Sequence, residues 1–193
     1  ANDLVINGKT IPIALSSYDT VSPSANADTS AISRAKAINQ MTSETGVAAT
    51  VNTNIMSGTA MTNGAAMTGT ISINGYTTPE FSTTLNNLRE SRVTVVDAIN
   101  AISAQTGVMA LNTGSDNLGI QLVAKDGRNI EVAFNTAGTD ANFSARTGLR
   151  QGLQIGTYSL ESSVEGSMVV TSTNDWNRAG LRPDDYTTNT SVF

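Results

Sequence analysis

The sequence predicts an α+β fold: two small antiparallel-sheet units, each with one packed helix, plus a β-rich closing segment. Three observations carry this. A set of short landmarks occurs twice in the same order. Ile6-Asn7-Gly8 leads to Ala37-Ile38-Asn39 and Thr45-Gly46-Val47, and Ile73-Asn74-Gly75 leads to Ala98-Ile99-Asn100 and Thr106-Gly107-Val108. Stretches of period-two alternation, the mark of half-buried strands, flank segments with three- and four-residue apolar spacing, the mark of helices. Asn-Gly and Asp-Gly pairs stand between apolar runs, where a tight hairpin needs residues that accept positive φ.

In the first copy, Leu4-Val5-Ile6 and Thr10-Ile11-Pro12-Ile13 flank the Asn7-Gly8 turn. Pro12 cannot donate to a ladder, so the second strand belongs at an edge. Ser16 to Asp28 reads as loop. Asp28 or Thr29 is the expected cap of a helix over Ser30 to Glu44, whose stripe is Ile32, Ala35, Ile38 and Met41 or Thr42. Gly46 is placed to stop it in a left-handed conformation. Val47, Ala49 and Val51 then alternate as a strand.

The segment 55–69 fits either a loop or a flat strand pair. Thr70 to Tyr76 restarts the unit. Thr94 and Asp97 form a capping-box-like pair that would start the second helix, with Val95, Ile99 and Ile102 as its buried stripe. Gly107 ends it, and Val108 to Asn112 returns as a strand. Leu118 to Ala124 and Asn129 to Phe134 form a hairpin about Asp126-Gly127. After a loop from Gly138 to Gly148, Leu153 to Leu160 and Ser167 to Thr171 read as strands. The expected division is 1–54 as the first repeat unit, with the C-terminal segment as a candidate partner. The second unit with its closing segment is 70–172, and 173–193 is an irregular tail.

Composition narrows function. The 193 residues are 39% apolar but only 5% aromatic and 14% charged, so the core is aliphatic and Thr, Ser, Asn and Gly supply the polar surface. With net charge −5 and 11 scattered Lys and Arg, there is no basic stripe to neutralise phosphates. The chain holds no Cys and no His, which removes disulfides, thiolate chemistry, zinc-thiolate sites and the usual neutral-pH acid/base. No apolar stretch is long enough to span a membrane, and no cleavable signal pattern is present. The chain starts without Met, so the expectation is either a processed protein or, the favoured reading, a piece cut from a longer one.

The remaining chemical signals have plain readings. Ser33 and Lys36 fit Ser-x-x-Lys and Ser115-Asp116-Asn117 fits Ser-Asp-Asn, but Lys-Thr-Gly is missing. Ser33 and Lys36 are expected on the polar flank of a helix. Asp184-Asp185, Asp116 and Asp126-Gly127 lack the oxygen spacing of a cation loop and read as turn residues. Gly69, Gly75, Gly107, Gly114 and Gly119 punctuate element ends. Trp176 with Arg178 and Tyr186 is either a binding platform or an anchor for its own tail. Met56, Met61 and Met67 read as core or loop filler. Asn142-Phe143-Ser144 and Asn189-Thr190-Ser191 match the N-glycosylation triplet by chance. Ser22, Ser24, Thr59, Thr62, Thr187 and Thr188 are expected exposed hydroxyls. No catalytic, cofactor-binding or metal-binding residue is assigned, and no cofactor is implied.

The ordered Ile-Asn-Gly, Ala-Ile-Asn and Thr-Gly-Val landmarks resemble the "IN" repeat of bacterial flagellins. The same motif occurs in hook-associated and filament-cap proteins. The second copy, Val95-Val96-Asp97-Ala98-Ile99-Asn100-Ala101-Ile102, carries the resemblance best, and it reaches as far as Phe134. It implies a structural, non-enzymatic outer domain of a flagellar filament subunit, secreted and extracellular. Expected partners are neighbouring flagellin subunits, with host antibodies or glycans as further candidates, and the isolated fragment is expected to be monomeric. The alternatives are a cap or hook-associated domain, or an adhesin-type module. No sustained heptad is present, so filament assembly and innate-receptor recognition, which in the family belong to long terminal helices, are assigned to no residue here. An inserted domain is expected to have its two ends close together.

Overall fold

The computed structural model describes residues 4–136, 140–163 and 168–172. The chain divides into two compact units, one made of Ala1–Asn52 with Gly156–Phe193 and the other of Thr53–Ile155. The first unit starts with β1 (Leu4–Ile6), β2 (Lys9–Thr10), α1 (Ala31–Asn39), α2 (Thr42–Thr45) and β3 (Val47–Val51). The second runs through β4 (Asn54–Met56), β5 (Thr68–Ile73), β6 (Tyr76–Thr77), β7 (Phe81–Ser82), α3 (Leu88–Asn100), α4 (Ser103–Thr106) and β8 (Met109–Asn112). It continues with β9 (Ile120–Ala124), β10 (Ile130–Thr136), α5 (Asp140–Thr147) and β11 (Gly152–Gln154). The first unit then resumes with β12 (Tyr158–Ser162) and β13 (Val170–Ser172). All strand pairs are antiparallel, with helices against small sheets, so the class is α+β.

The repeat landmarks are the residues that hold each unit together. In Ile-Asn-Gly, Ile6 and Ile73 are fully buried, and Asn7 (φ 49) and Asn74 (φ 50) adopt the left-handed conformation that the hairpin needs. Asn7 Nδ2 donates to Thr45 O at 2.8 Å, and its Oδ1 accepts from Val169 N at 2.9 Å. Asn74 does the same with Thr106 O at 3.4 Å and Glu131 N at 2.7 Å. In Ala-Ile-Asn the first two residues are core. The Asn clasps a strand: Asn39 Nδ2 donates to Ala49 O at 2.9 Å and its Oδ1 accepts from Ala49 N at 2.7 Å. Asn100 makes the same pair with Ala110, at 3.1 and 2.9 Å.

In Thr-Gly-Val, Thr45 Oγ1 accepts from Val47 N and Thr106 Oγ1 from Val108 N, both at 3.1 Å. Gly46 and Gly107 share φ 68, a left-handed stop open to glycine. Val47 and Val108 are fully buried. The polar residues of the motif therefore satisfy backbone groups where helix, strand and hairpin meet, which buried backbone requires.

The closing strands complete the correspondence. In the first unit Ala49 faces Leu160 and Ile6 faces Val170. In the second, Ala110 faces Leu122 and Ile73 faces Val132. Leu160 to Val170 and Leu122 to Val132 are the same ten-residue step. The units differ in one large respect. Ala110 and its partner are joined through the short turn 113–119, whereas the whole second unit lies in the connection between β3 and β12. One copy of the fold is thus inserted in its sister, at the point the sister fold closes with a turn.

Each unit has its own aliphatic core. Ile6, Ile11, Ala35, Ala37, Ile38, Val47, Ala49 and Val170 form the first. The second is larger, with Ile71, Ile73, Val95, Ile99, Val108, Ile120, Leu122, Ile130 and Val132. Phe143 seals it, edge-on to Phe134 at 5.3 Å and tilted against Phe81 at 5.9 Å.

Several elements differ from the sequence expectation. The cap of α1 is Ser30, whose side chain accepts from Ser33 N, and the helix breaks at Gln40 and Met41 before α2. The stripe shifts with it: Ala31, Ser33, Ala35, Ala37 and Ile38 are buried and Ile32 is half-buried. The second helix starts at Leu88 rather than Thr94, because Asn87 caps it upstream: its side chain accepts from Glu90 N at 3.1 Å and its Nδ2 donates to the Glu90 carboxylate. The expected loop from Gly138 to Gly148 contains α5. The expected strand Leu153 to Leu160 is two strands: β11 pairs with β10, and β12 pairs with β3. The units therefore divide differently from 1–54 and 70–172. In the 55–69 segment, β4 is followed by the irregular stretch 57–67, and β5 begins at Thr68. The tail from 173 to 193 lies outside the described residues.

Candidate functional site

The nucleophile candidates that the sequence motifs suggest are structural. Ser33 is fully buried rather than on a polar flank. Its hydroxyl lies 3.1 Å from Leu15 O and 2.6 Å from Ala27 O, stapling the loop before α1 to the helix. Lys36 is exposed, with its ammonium 5.2 Å from the centre of the Tyr18 ring. Ser115 belongs to the other unit, where its N–H donates to Thr113 Oγ1 in a local turn.

The acidic residues are likewise engaged in structure. Asp126 receives the Arg128 guanidinium, at 2.6 Å from Arg128 Nη2, at the β9–β10 turn. Asp116 pairs with Arg92, a buried arginine on α3 whose Nε also donates to Asn112 Oδ1 at 3.1 Å. Motif spacing marks Asp116 as a turn residue alone and gives no sign of this pair. Asp19, buried in the first unit, accepts from Val21 N and Ser22 N at 2.9 Å. Burial pushes its carboxyl up, but the Ser22 and Ser30 hydroxyls and the two N–H groups outweigh that and hold it below its ordinary 3.8. Among the described residues no group of three or more Asp and Glu side chains could hold a metal ion. No helix among them is long and apolar enough to cross a membrane.

The hydroxyl and methionine expectations divide. Ser22 is buried, not exposed, and Thr59 is half-buried. Thr62 is exposed but accepts from Arg146 Nη1 at 2.5 Å. Met56 and Met61 are core, and Met67 packs against it. Asn142 is exposed on α5, with Phe143 of the same triplet fully buried. The Ser24 side chain, Trp176, Arg178, Asp184, Asp185, Tyr186, Thr187, Thr188 and the Asn189 triplet lie outside the described residues.

What distinguishes the two copies is the outer face of the sheet next to the helix. In the second unit Ile55, Val123 and Met109 stand in one cross-strand row, and Leu111 faces Gln121. Ile55, Met109 and Leu111 are all exposed. The corresponding pairs in the first unit are Ala48 with Glu161 and Thr50 with Ser159. The shared fold does not require an apolar face there, because the sister copy carries a polar one.

No family model matches the chain. It is 32% identical over 139 residues to Flagellin A of Helicobacter felis (strain ATCC 49179 / CCUG 28539 / NCTC 12436 / CS1). The match takes in 72% of this chain and 26% of that protein, so the chain spans about a quarter of its relative's length. This similarity supports a flagellin relationship.

Proposed function

We propose that this chain is an outer, solvent-facing pair of domains of a bacterial flagellar filament subunit. The observation that carries the reading is the identity with Flagellin A along 72% of the chain, on a fold whose motif residues serve packing. The first and last described strands favour a domain entered and left at one place. Leu4 and Ser172 face each other across an antiparallel pair, so chain continuing beyond either would leave side by side. In this role the domains project from an extracellular filament, stand next to those of neighbouring subunits, and set the surface that antibodies meet while the filament serves motility. Low charge and abundant hydroxyls and amides suit dense packing of copies along a polymer, because self-repulsion is weak.

Immunogold labelling of intact filaments with antibodies against residues 4–172 tests this. Label along the full filament length is expected. Label confined to the tip or the hook junction supports the cap or hook-associated alternative. Label seen only after filaments are dissociated contradicts an outer position.

A further inference from the structure

Asn-Gly occurs three times, at Asn7-Gly8, Asn63-Gly64 and Asn74-Gly75. This dipeptide has intrinsic chemistry. The backbone nitrogen of the glycine can attack the asparagine side-chain carbonyl, and no Cβ hinders the approach. At two of the three sites the carboxamide is tied down. Asn7 bonds Thr45 O and Val169 N. Asn74 bonds Thr106 O, Asn129 O at 3.0 Å, and Glu131 N. Attack there first requires breaking those bonds and opening the hairpin.

Asn63 is different. It is exposed, in the irregular stretch between β4 and β5. Among the described residues nothing hydrogen-bonds its carboxamide or the Gly64 N–H. The Arg146 guanidinium lies against Gly64, in the space that a Cβ there would take. Arg146 Nη1 also donates to Thr62 O and Thr62 Oγ1. A cation is therefore held beside the peptide where negative charge develops as the Gly64 nitrogen loses its proton, the arrangement that favours such an anion.

We propose that Asn63 is a self-modification site of the folded protein. The deprotonated Gly64 nitrogen bonds to Asn63 Cγ, and the C–N bond to the side-chain amine breaks. Ammonia leaves carrying the proton from Gly64, and a five-membered succinimide remains. Water adds across the imide and opens it at either carbonyl, giving aspartate or isoaspartate at position 63. Either product adds a carboxylate at position 63, between the two residues that Arg146 contacts, and the isoaspartyl form adds a methylene to the backbone. No enzyme or cofactor takes part.

The test is a time course of the intact folded chain at mildly alkaline pH, with peptide mapping for the amide-to-acid mass change and enzymatic labelling of isoaspartate. Position 63 is expected to convert on the order of tenfold or more faster than 7 and 74, since each clasp bond lost is comparable to a factor of ten. In denaturant the three rates should converge. Asn63→Gln should abolish the fast phase without altering the other two sites. Equal conversion of 7 or 74 in the folded chain would overturn the proposal. So would a folded chain in which 63 stays intact while the denatured chain converts it.

Discussion

Four asparagines, Asn7, Asn39, Asn74 and Asn100, carry much of the specificity of this fold, because each satisfies backbone groups that no regular ladder reaches. Asn39 and Asn100 are closed two-bond clasps on Ala49 and Ala110, ten positions on in both copies. Replacing either with Ala strands an N–H and a C=O at the helix–strand junction and should cost about 1–3 kcal/mol. The two costs should be similar, as read by urea denaturation of the affected unit. A neutral Asn100→Ala variant would show that the clasp is incidental. Asp19 gives a second residue-level test. Its folded value is lowered, so its contribution is present above the unfolded value of 3.8 and is lost as pH falls through the folded one. Acid titration of unfolding should show the first unit losing stability below about pH 4, and Asp19→Asn should flatten that loss. An unchanged acid slope would contradict the role given to this carboxylate.

Among elements, the hairpins and strands are legible in the sequence because their signals are local. Asn7-Gly8, Asn74-Gly75 and Asp126-Gly127 set turns at the expected places, and alternation marks β3, β9 and β10. Helix starts are less legible, because capping chemistry occurs more often than helices do. Thr94 and Asp97 mimic a capping box inside α3, while the working cap, Asn87, sits upstream among polar residues with little apolar periodicity. Asn87→Ala should cost about 1 kcal/mol, whereas Thr94→Ala in the helix interior should change stability by less than about 0.5 kcal/mol. Calorimetry of the two variants decides between the caps. The α5 helix is hidden from periodicity because one buried aromatic, Phe143, anchors it rather than a stripe. The candidate site is legible only as motif letters. That Asn39 and Asn100 clasp strands follows from pairing partners that sequence spacing does not reveal, and Arg92 with Asp116 joins a helix to a turn 24 positions away.

At the scale of the whole molecule, the second unit occupies a connection of the first. Val51 and Tyr158 bound 106 residues, while Asn112 and Ile120 bound seven. Closing the longer connection as unfolded chain would cost about 2–2.5 kcal/mol more. A folded second unit removes that penalty wherever its own ends meet, so the stabilities of the two units are coupled through their connections, and equally in both directions. The repeat is visible in the sequence, but the insertion is not, because β12 carries no landmark and its pairing with β3 is purely tertiary. Residue-resolved hydrogen exchange in rising urea reads the insertion most directly. Amides of Tyr158–Ser162 should open together with those of Val47–Val51, while those of Gly152–Gln154 open with the second unit. Opening of Tyr158–Ser162 in step with its sequence neighbour Gly152–Gln154, and apart from Val47–Val51, would contradict an inserted second copy.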